Sequence, residues 1–462
     1  MKKIFVLFFC LTTLLVFSSC RNSGGVMDKI SKAMDGASSY EVDGVLDITG
    51  YYAGETMTVT ATQKEIYSKN AGEELYSYSK SDIDITNRYG TTHSSVLEAF
   101  NEGEYFISYK LGEDSKRLRS EHTEKEFLNY RAKVSEFGNI LSGYETFSSV
   151  KNEDGSYEVK LEKYDERTIR LLNSSYGFPL EKDGGEIEDI AVTIISDSNY
   201  YIKEITVDYL FSNVDFSGSE KMIFSSYGSA EKITDTINPR YYTSVDDATI
   251  VPLLTTLVNA RVEEEQGSLA VSTFSKFSTL GVESTNSAET NASYGYEDEK
   301  YHFTAKTKTT TKTKTSPFVD GTKTEEKTTD TTYKDGMYTE DDTPRVASDS
   351  YARKFIKELI DPFSFSAYNV KSITKADNED GTVTYTIGID TATAGTLAAL
   401  KELYSSVNAK FLSAKMTLEV VLKDYELTSI KYKIESEGQI VYNGSHYFGA
   451  DITVTTHTVF ED

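Results

Sequence analysis

The side chains in this 462-residue chain that could act as catalysts or metal ligands do not form a known motif. The five histidines are scattered and show no paired zinc-binding spacing such as H-E-x-x-H; they are His93, His122, His302, His446 and His457. There is no nucleophile elbow, P-loop or dinucleotide fingerprint. Nothing in the sequence singles out a general acid and base among 73 carboxylates. We therefore expect no enzymatic activity, no metal site and no cofactor.

The segment ADNEDG, from Ala376 to Gly381, comes nearest to a metal-binding loop. Ala376 stands where an EF-hand loop needs its first oxygen ligand, and Ile387 stands where the loop needs its last glutamate. The segment instead has the Asp-Gly pair of a tight hairpin, in which glycine supplies a positive φ. It predicts a turn between two strands.

Cys20 carries the most specific chemical prediction. Lys2 and Lys3 precede an apolar run, residues 4–17, that is too short to span a bilayer as a stable helix. Two small serines then lead directly to Cys20. An ordinary secretory peptide cut after the second serine would leave Cys20 as a free thiol.

The same arrangement resembles the bacterial lipoprotein signal, in which the cysteine thiol is acylated and becomes the first residue. This resemblance implies a signal peptide over 1–19, a lipid-anchored linker over 20–26, and a location on the extracytoplasmic face of a bacterial membrane. The other cysteine, Cys10, lies inside the signal, so the mature chain has no disulfide.

Composition and charge limit the classes of molecule that the protein is expected to bind. The 73 acidic residues exceed the 48 lysines and arginines, which gives a formal charge of −25. Such a charge argues against binding to nucleic acid, or to anionic lipid through basic patches. The predicted attachment to the membrane therefore uses the N-terminal lipid. With 33 tyrosines, 23 phenylalanines and only 6 prolines, the composition favours strands over helices.

The chain also resembles itself at a near-constant offset. The stretch NEDGSYEVKL begins at Asn152, and NEDGTVTYTI begins at Asn378, 226 residues later. Further along, Ile205 in YIKEITVDY corresponds to Ile430 in YELTSIKYKI, 225 residues later. An apolar helical stripe opens each half: Met27, Ile30 and Met34 in the first, Ile250, Leu253 and Leu257 in the second. Matches in one order predict an internal duplication.

Each half contains the same predicted series of elements. A helix opens it, over 27–36 or about 247–263, and alternating strands follow. A second helix comes next, with Phe127, Arg131, Val134 and Phe137 along one side in the first half, and Tyr351, Phe355 and Leu359 in the second. A hairpin, a third helix (Ile169 and Leu172, or Leu397 and Leu400) and long strands complete the half. We predict an α+β fold of two tandem domains, 27–240 and 244–462.

Residues 301–315 alternate lysine and threonine, which places the lysines on one face of a strand. The lysines Lys306, Lys308, Lys312 and Lys314 either form a basic strip for a polyanion or pair with the acidic, threonine-rich run 322–332. Carboxylates at Glu325, Glu326 and Asp330 favour the second interpretation, a solvated hairpin whose lysines prevent edge-to-edge aggregation.

The element order and the lipoprotein signal resemble the LolA/LolB lipoprotein carriers and the LppX/LprG lipid-binding lipoproteins. The resemblance implies that each repeat is a curved antiparallel sheet, a half-barrel, with helices on its concave face and a cavity for acyl chains. On this basis the predicted function is binding or transfer of a hydrophobic ligand such as an acylated lipid. The six residues of the two opening-helix stripes are the candidate pocket residues. The alternative is a non-catalytic surface adaptor that binds an envelope protein or a wall polymer through its β faces.

Overall fold

The structure is a computed structural model that describes residues 25–461 except 53–54, 70–73, 113, 135–139, 142, 177–185, 213–214, 234–236, 280–281, 315–320, 364–366, 392–408 and 443–445. The chain divides into two compact units, Met1–Thr256 and Leu257–Asp462. Strands dominate both units, and the described residues include five α-helices. The division falls inside the fourth of these helices, and the predicted boundaries 27–240 and 244–462 stay predictions.

The first unit contains one twelve-stranded sheet. Its strands are β1 Ser39–Tyr52, β2 Glu55–Ser68, β3 Tyr76–Asn87, β4 Gly90–Asn101, β5 Glu104–Leu111, β6 Asp114–Glu121, β7 Tyr144–Lys151, β8 Tyr157–Tyr164, β9 Ile187–Ser196, β10 Ile202–Phe211, β11 Phe216–Ser225 and β12 Thr243–Ser244. Their spatial order is β12-β6-β5-β4-β3-β2-β1-β11-β10-β9-β8-β7, and the pairing is antiparallel except between β12 and β6. The helices are α1 Val26–Asp35, α2 Glu124–Val134 and α3 Glu166–Tyr176, and α4 Ile250–Val262 begins in this unit.

The second unit contains one eleven-stranded antiparallel sheet and the helix α5, Asp349–Ile360. Its strands are β13 Gln266–Thr279, β14 Val282–Glu297, β15 Lys300–Lys314, β16 Lys323–Lys334, β17 Met337–Glu340, β18 Thr343–Val346, β19 Val370–Asp377, β20 Val383–Ile389, β21 Ala409–Lys423, β22 Glu426–Tyr442 and β23 His446–Glu461. Their spatial order is β18-β17-β16-β15-β14-β13-β23-β22-β21-β20-β19.

The two sheets have the same strand order once β12 is set aside. In each, six consecutive strands form one half of the sheet, and the first of them pairs with the last strand of the unit, β1 with β11 and β13 with β23. The opening helices α1 and α4 precede β1 and β13, while α2 and α5 occupy equivalent connections. This is the correspondence expected from a duplicated chain.

The first NEDG turn links β7 to β8. The N–H of Gly155 donates to the carbonyl of Asn152 at 3.0 Å, and Gly155 has a φ of 83°. The Asp154 carboxylate accepts from the N–H of Ser156 at 2.9 Å and from its hydroxyl at 2.6 Å. These hydrogen bonds lower the pKa of Asp154, because they stabilise the charged carboxylate.

The second NEDG turn links β19 to β20 and repeats this network. The N–H of Gly381, whose φ is 82°, donates to the carbonyl of Asn378 at 3.1 Å. The Asp380 carboxylate accepts from the N–H of Thr382 at 3.0 Å and from its hydroxyl at 2.7 Å, and its pKa is likewise lowered by these bonds. The ADNEDG segment therefore forms the hairpin turn that its sequence predicts.

The predicted second helices are present, with one correction. Helix α2 begins with a capping box, in which the Glu126 carboxylate accepts from the N–H of Thr123 at 2.8 Å. In α5, Tyr351 is exposed and Phe355 and Leu359 are half-buried, with Phe355 stacked on Phe303, so the most buried face is displaced by one position from the predicted stripe. The buried residues of α5 include Ala352, Ile356 and Ile360. The third helix of the first half is α3, which buries Ile169 and Leu172, whereas Leu397 and Leu400 lie outside the described residues.

Candidate functional site

The predicted pocket residues of the first repeat lie together on α1. Met27 and Ile30 have no solvent exposure, and Met34 is 5% exposed. All three belong to an apolar cluster that also contains alternating residues on one face of β1, which are Tyr40, Val42, Leu46 and Ile48. Further members come from β8, β9, β10 and β11, among them Leu161, Ile194, Ile205 and Met222. We call the side of the sheet that carries Val42 the helix-covered face.

Two polar contacts of α1 involve residues next to the ends of strands, Tyr200 before β10 and Tyr227 after β11. Lys29 Nζ donates to the hydroxyl of Tyr200 at 3.1 Å, at an exposed position. The Tyr227 hydroxyl contacts Met34 Sδ at 3.3 Å and donates to the carbonyl of Ile202 at 2.6 Å. Burial of its two methionines and its isoleucine contributes an apolar attachment of this ten-residue helix to the sheet.

The predicted pocket residues of the second repeat lie on α4. Ile250 and Leu253 have at most 1% exposure, and Leu257 has 9%. The helix is apolar on more than one side, because Val251, Leu254 and Val258 are buried as well. Ser244 and Asp247, which have the spacing of a capping box, lie before the helix: Ser244 is in β12, and the Asp247 carboxylate accepts from the N–H of Thr249 at 3.0 Å.

A buried charged group that the sequence did not single out lies between α2 and the sheet. Arg131 Nη2 lies 3.5 Å from Glu65 Oε1 on β2, and Arg131 Nη1 lies 3.5 Å from Glu98 Oε2 on β4. All three side chains are at most 3% exposed. Glu65 is opposite Val42 and Ser79, and Ser79 is opposite Glu98, so both carboxylates lie on the helix-covered face.

Aromatic side chains surround this Glu–Arg–Glu group. The Tyr130 hydroxyl donates to Glu98 Oε2 at 3.1 Å, and the Tyr105 hydroxyl is 3.2 Å from that of Tyr130. One turn away on α2, Phe127 stacks on Phe100 with ring centroids 4.4 Å apart. The group therefore fixes α2 on the sheet. The sequence signal was Arg131 itself, a charged residue inside the apolar stripe of the predicted helix.

A Ser–His–Asp combination also occurs, but its geometry is not catalytic. His122 Nε2 lies 2.8 Å from Ser120 Oγ and 3.4 Å from Asp247 Oδ1, so both partners use the same ring nitrogen. A catalytic triad needs the acid on Nδ1 and the nucleophile on Nε2. Ser120 Oγ also accepts from the N–H of Ala248 at 2.8 Å and is buried. The cluster therefore joins β6 to the segment before α4.

In the second unit, polar side chains connect the end of α4 to α5 and to the sheet. Glu263 directly follows α4, is 3% exposed, and lies 3.9 Å from Arg353 of α5. The Tyr296 hydroxyl of β14 donates to the same carboxylate. Burial, and then the negative charge of Glu263, raise the pKa of Tyr296, so its hydroxyl remains a donor.

The lysine–threonine segment forms β15, as the alternation predicts. Its lysines Lys306, Lys308 and Lys312 are exposed, and β15 pairs with β16, which carries three carboxylates and three lysines. Lys306 lies 3.7 Å from Asp330, and Lys308 lies 3.9 Å from Glu326. The carboxylates of β16 are thus interleaved with the lysines, which is the geometry of the solvated-hairpin interpretation.

Some predictions concern residues that the structure does not describe, or properties that it leaves open. Cys20 and the signal 1–19 lie outside the described residues. Within the described ranges, no three or more histidine, cysteine, aspartate or glutamate side chains are grouped to hold a metal ion. The helices described there include none that is long and apolar enough to cross a membrane.

Comparisons with known proteins do not identify a family. No protein-family model matches the chain, and no curated protein matches it. One similar solved structure is a DUF1329 family protein from Desulfovibrio piger, at 9% identity and a TM-score of 0.19, covering 47% of this chain and 94% of that chain. Another is the translocator domain of the autotransporter NalP from Neisseria meningitidis, at 6% identity and a TM-score of 0.11, covering 94% of this chain and 92% of that chain. Likenesses with such low TM-scores carry no argument about this protein.

Proposed function

We propose that the protein is an envelope lipoprotein, anchored through Cys20, that binds a hydrophobic ligand such as an acylated lipid beneath α1. The observation that carries the proposal is the packing of α1. This short helix is held on the first sheet by Met27, Ile30 and Met34, which belong to its large apolar cluster. The proposed fold is a half-barrel with α1 and α2 on its concave side, and the second repeat has the same arrangement.

The energetics support a displaceable helix. Each methylene of an acyl chain that replaces apolar helix surface contributes about 0.8 kcal/mol on leaving water. A chain of ordinary lipid length could therefore exchange for the three apolar side chains of α1 at little net cost. Methionine suits such a position, because its unbranched side chain adapts to differently shaped neighbours.

The position of α1 in the chain supports the proposal as well. Only residues 21–25 separate Cys20 from the first residue of α1, Val26. Six residue steps reach at most about 20 Å when fully extended. An acylated Cys20 would hold α1, and the apolar cluster beneath it, next to the membrane that supplies lipid.

The test is extraction of lipid from a chain lacking residues 1–20, produced in a bacterium and analysed by mass spectrometry. Co-purifying lipid, and uptake of a fluorescent fatty acid, are expected. Ile30→Thr should reduce both, whereas Lys32→Thr, an exposed position on the same helix, should not. Leu253→Thr tests the second repeat, and circular dichroism checks folding of each variant. Absence of lipid and of uptake in the unaltered chain would overturn the proposal.

A second candidate is a non-catalytic surface adaptor, which the exposed face of β15 and β16 favours. Lysines, threonines and carboxylates alternate there without apolar cover, as on a solvated binding surface. Native mass spectrometry that shows a stable envelope-protein partner and no lipid would select this candidate over lipid binding.

A further inference from the structure

One group of side chains in the first unit combines lysines with tyrosines, and one of its members, Tyr200, packs against the apolar cluster. We call it the Lys–Tyr cluster: Lys29 on α1, Lys151 at the end of β7, Tyr157 at the start of β8, and Tyr200 in the turn before β10. The Tyr157 and Tyr200 rings stack with centroids 5.1 Å apart, and their hydroxyls are 3.4 Å apart. Lys29 Nζ reaches the Tyr200 hydroxyl at 3.1 Å, and Lys151 Nζ lies 5.5 Å from the centroid of the Tyr157 ring.

The cluster is a local positive site in an acidic protein. The pKa of Tyr200 is lowered by its hydrogen bond with Tyr157 and then by the one from Lys29, and the charge of Lys151 acts in the same direction. The neighbouring Asp197 carboxylate already accepts from the N–H groups of Asn199 and Tyr201 at 2.8 and 2.9 Å. Both lysines are exposed, so an anion can approach the two ammonium groups from solvent.

At the corresponding positions, the second repeat has the same backbone turn but lacks most of the ammonium and hydroxyl groups. At the offset of each matching segment, Tyr425 corresponds to Tyr200, and both have a positive φ, 64° and 70°. The other three positions hold Pro252, Asp377 and Val383, which offer neither an ammonium group nor a hydroxyl. Because the same strand order forms without these groups, the fold does not require the Lys–Tyr cluster.

We propose that the Lys–Tyr cluster binds the phosphate headgroup of an anionic lipid whose acyl chains lie beneath α1. This inference rests on the proposed function and adds the ligand class. The two ammonium groups can donate charge-assisted hydrogen bonds to phosphate oxygens, and the two phenol hydroxyls can donate neutral ones. Lys29 belongs to the helix that would cover the acyl chains, so one ligand could contact both the apolar cluster and the donors. The second repeat, with Asp377 in place of Lys151, would bind no anionic headgroup.

The test compares two fluorescent lipids that differ only in their headgroups, phosphatidylglycerol and phosphatidylcholine, binding to the full chain held in a non-ionic detergent. The unaltered protein should bind the phosphatidylglycerol probe more tightly. Lys151→Gln should weaken that probe about three- to fivefold, the upper part of the range for one exposed ion pair, and leave the phosphatidylcholine probe unchanged. Lys375→Gln is the matched control, because Lys375 lies on the corresponding edge strand, 5.9 Å from the centroid of the Tyr385 ring.

Each outcome decides a different point. Equal affinity for the two lipids, or no effect of Lys151→Gln, overturns the headgroup site while the hydrophobic-ligand proposal stands. Binding of neither lipid overturns both. Displacement of the phosphatidylglycerol probe by inorganic phosphate at similar concentration would show a site for free phosphate and overturn the lipid assignment. Lys151 makes no described contact with α1, so its variant separates ligand binding from attachment of the helix.

Discussion

Replacing Arg131 by methionine tests how the interior of the first unit is held together. Methionine keeps an unbranched apolar stem and a similar helix propensity, but it is shorter than arginine and lacks the charge that lies 3.5 Å from both Glu65 and Glu98. At an effective dielectric constant of 20, each pair at this distance attracts by about 5 kcal/mol, most of which offsets the desolvation of the charges. Removing one partner leaves two buried carboxylates uncompensated, so we expect a loss of about 3–5 kcal/mol in unfolding free energy.

The loss should be measured by urea unfolding, with amide hydrogen exchange of α2, β2 and β4 to assign it to the first unit. For a unit of this size, the loss corresponds to a fall of about 6–20 °C in melting temperature. Lys133→Met, at an exposed position of the same helix, should change stability by less than about 0.5 kcal/mol.

A third variant separates the charge from the packing. The combination Glu65→Gln, Glu98→Gln and Arg131→Met removes all three charges and should recover most of the lost stability. A loss below about 1 kcal/mol in Arg131→Met, or no recovery in the triple variant, would refute the assigned role of the buried ions.

The other predictions concern the turns and the anchor. Gly381→Ala should lower the unfolding free energy by about 1–2 kcal/mol, because the φ of Gly381 is 82°. Gly449 also has open space around it but no positive φ, so Gly449→Ala should lower the unfolding free energy by less than about 0.5 kcal/mol. Asp154→Asn and Asp380→Asn should each lower stability at neutral pH. Both folded-state pKa values lie below the ordinary 3.8, so the stability that each carboxylate contributes is complete above pH 3.8 and is lost as the pH falls through the folded-state pKa. The stabilities of variant and parent should therefore converge in acid. Cys20→Ala should move the protein from the membrane fraction to the soluble fraction, and unchanged partitioning would refute the lipid anchor.

Features set by neighbouring residues could be predicted from the sequence. The NEDG turns depend on a glycine at positive φ and on a carboxylate that accepts from groups two residues ahead, and both turns are present. The capping box at Thr123 and the apolar face of β1 are local in the same sense, because three-residue spacing and two-residue alternation determine them. Equally local is the stripe of Met27, Ile30 and Met34.

What the tertiary structure alone decided is which distant residues meet. The pairing of β1 with β11 leaves no trace in either sequence, since ladder hydrogen bonds use the backbone of any residue. Adjacent residues Glu65 and Ile66 are both buried, although alternation predicts that only one of them is. Ile66 belongs to an apolar cluster against which Ile233 and Ile237 pack, and Glu65 lies beneath α2 beside Arg131. Alternation assigns residues to faces of a strand, but only packing determines what covers each face.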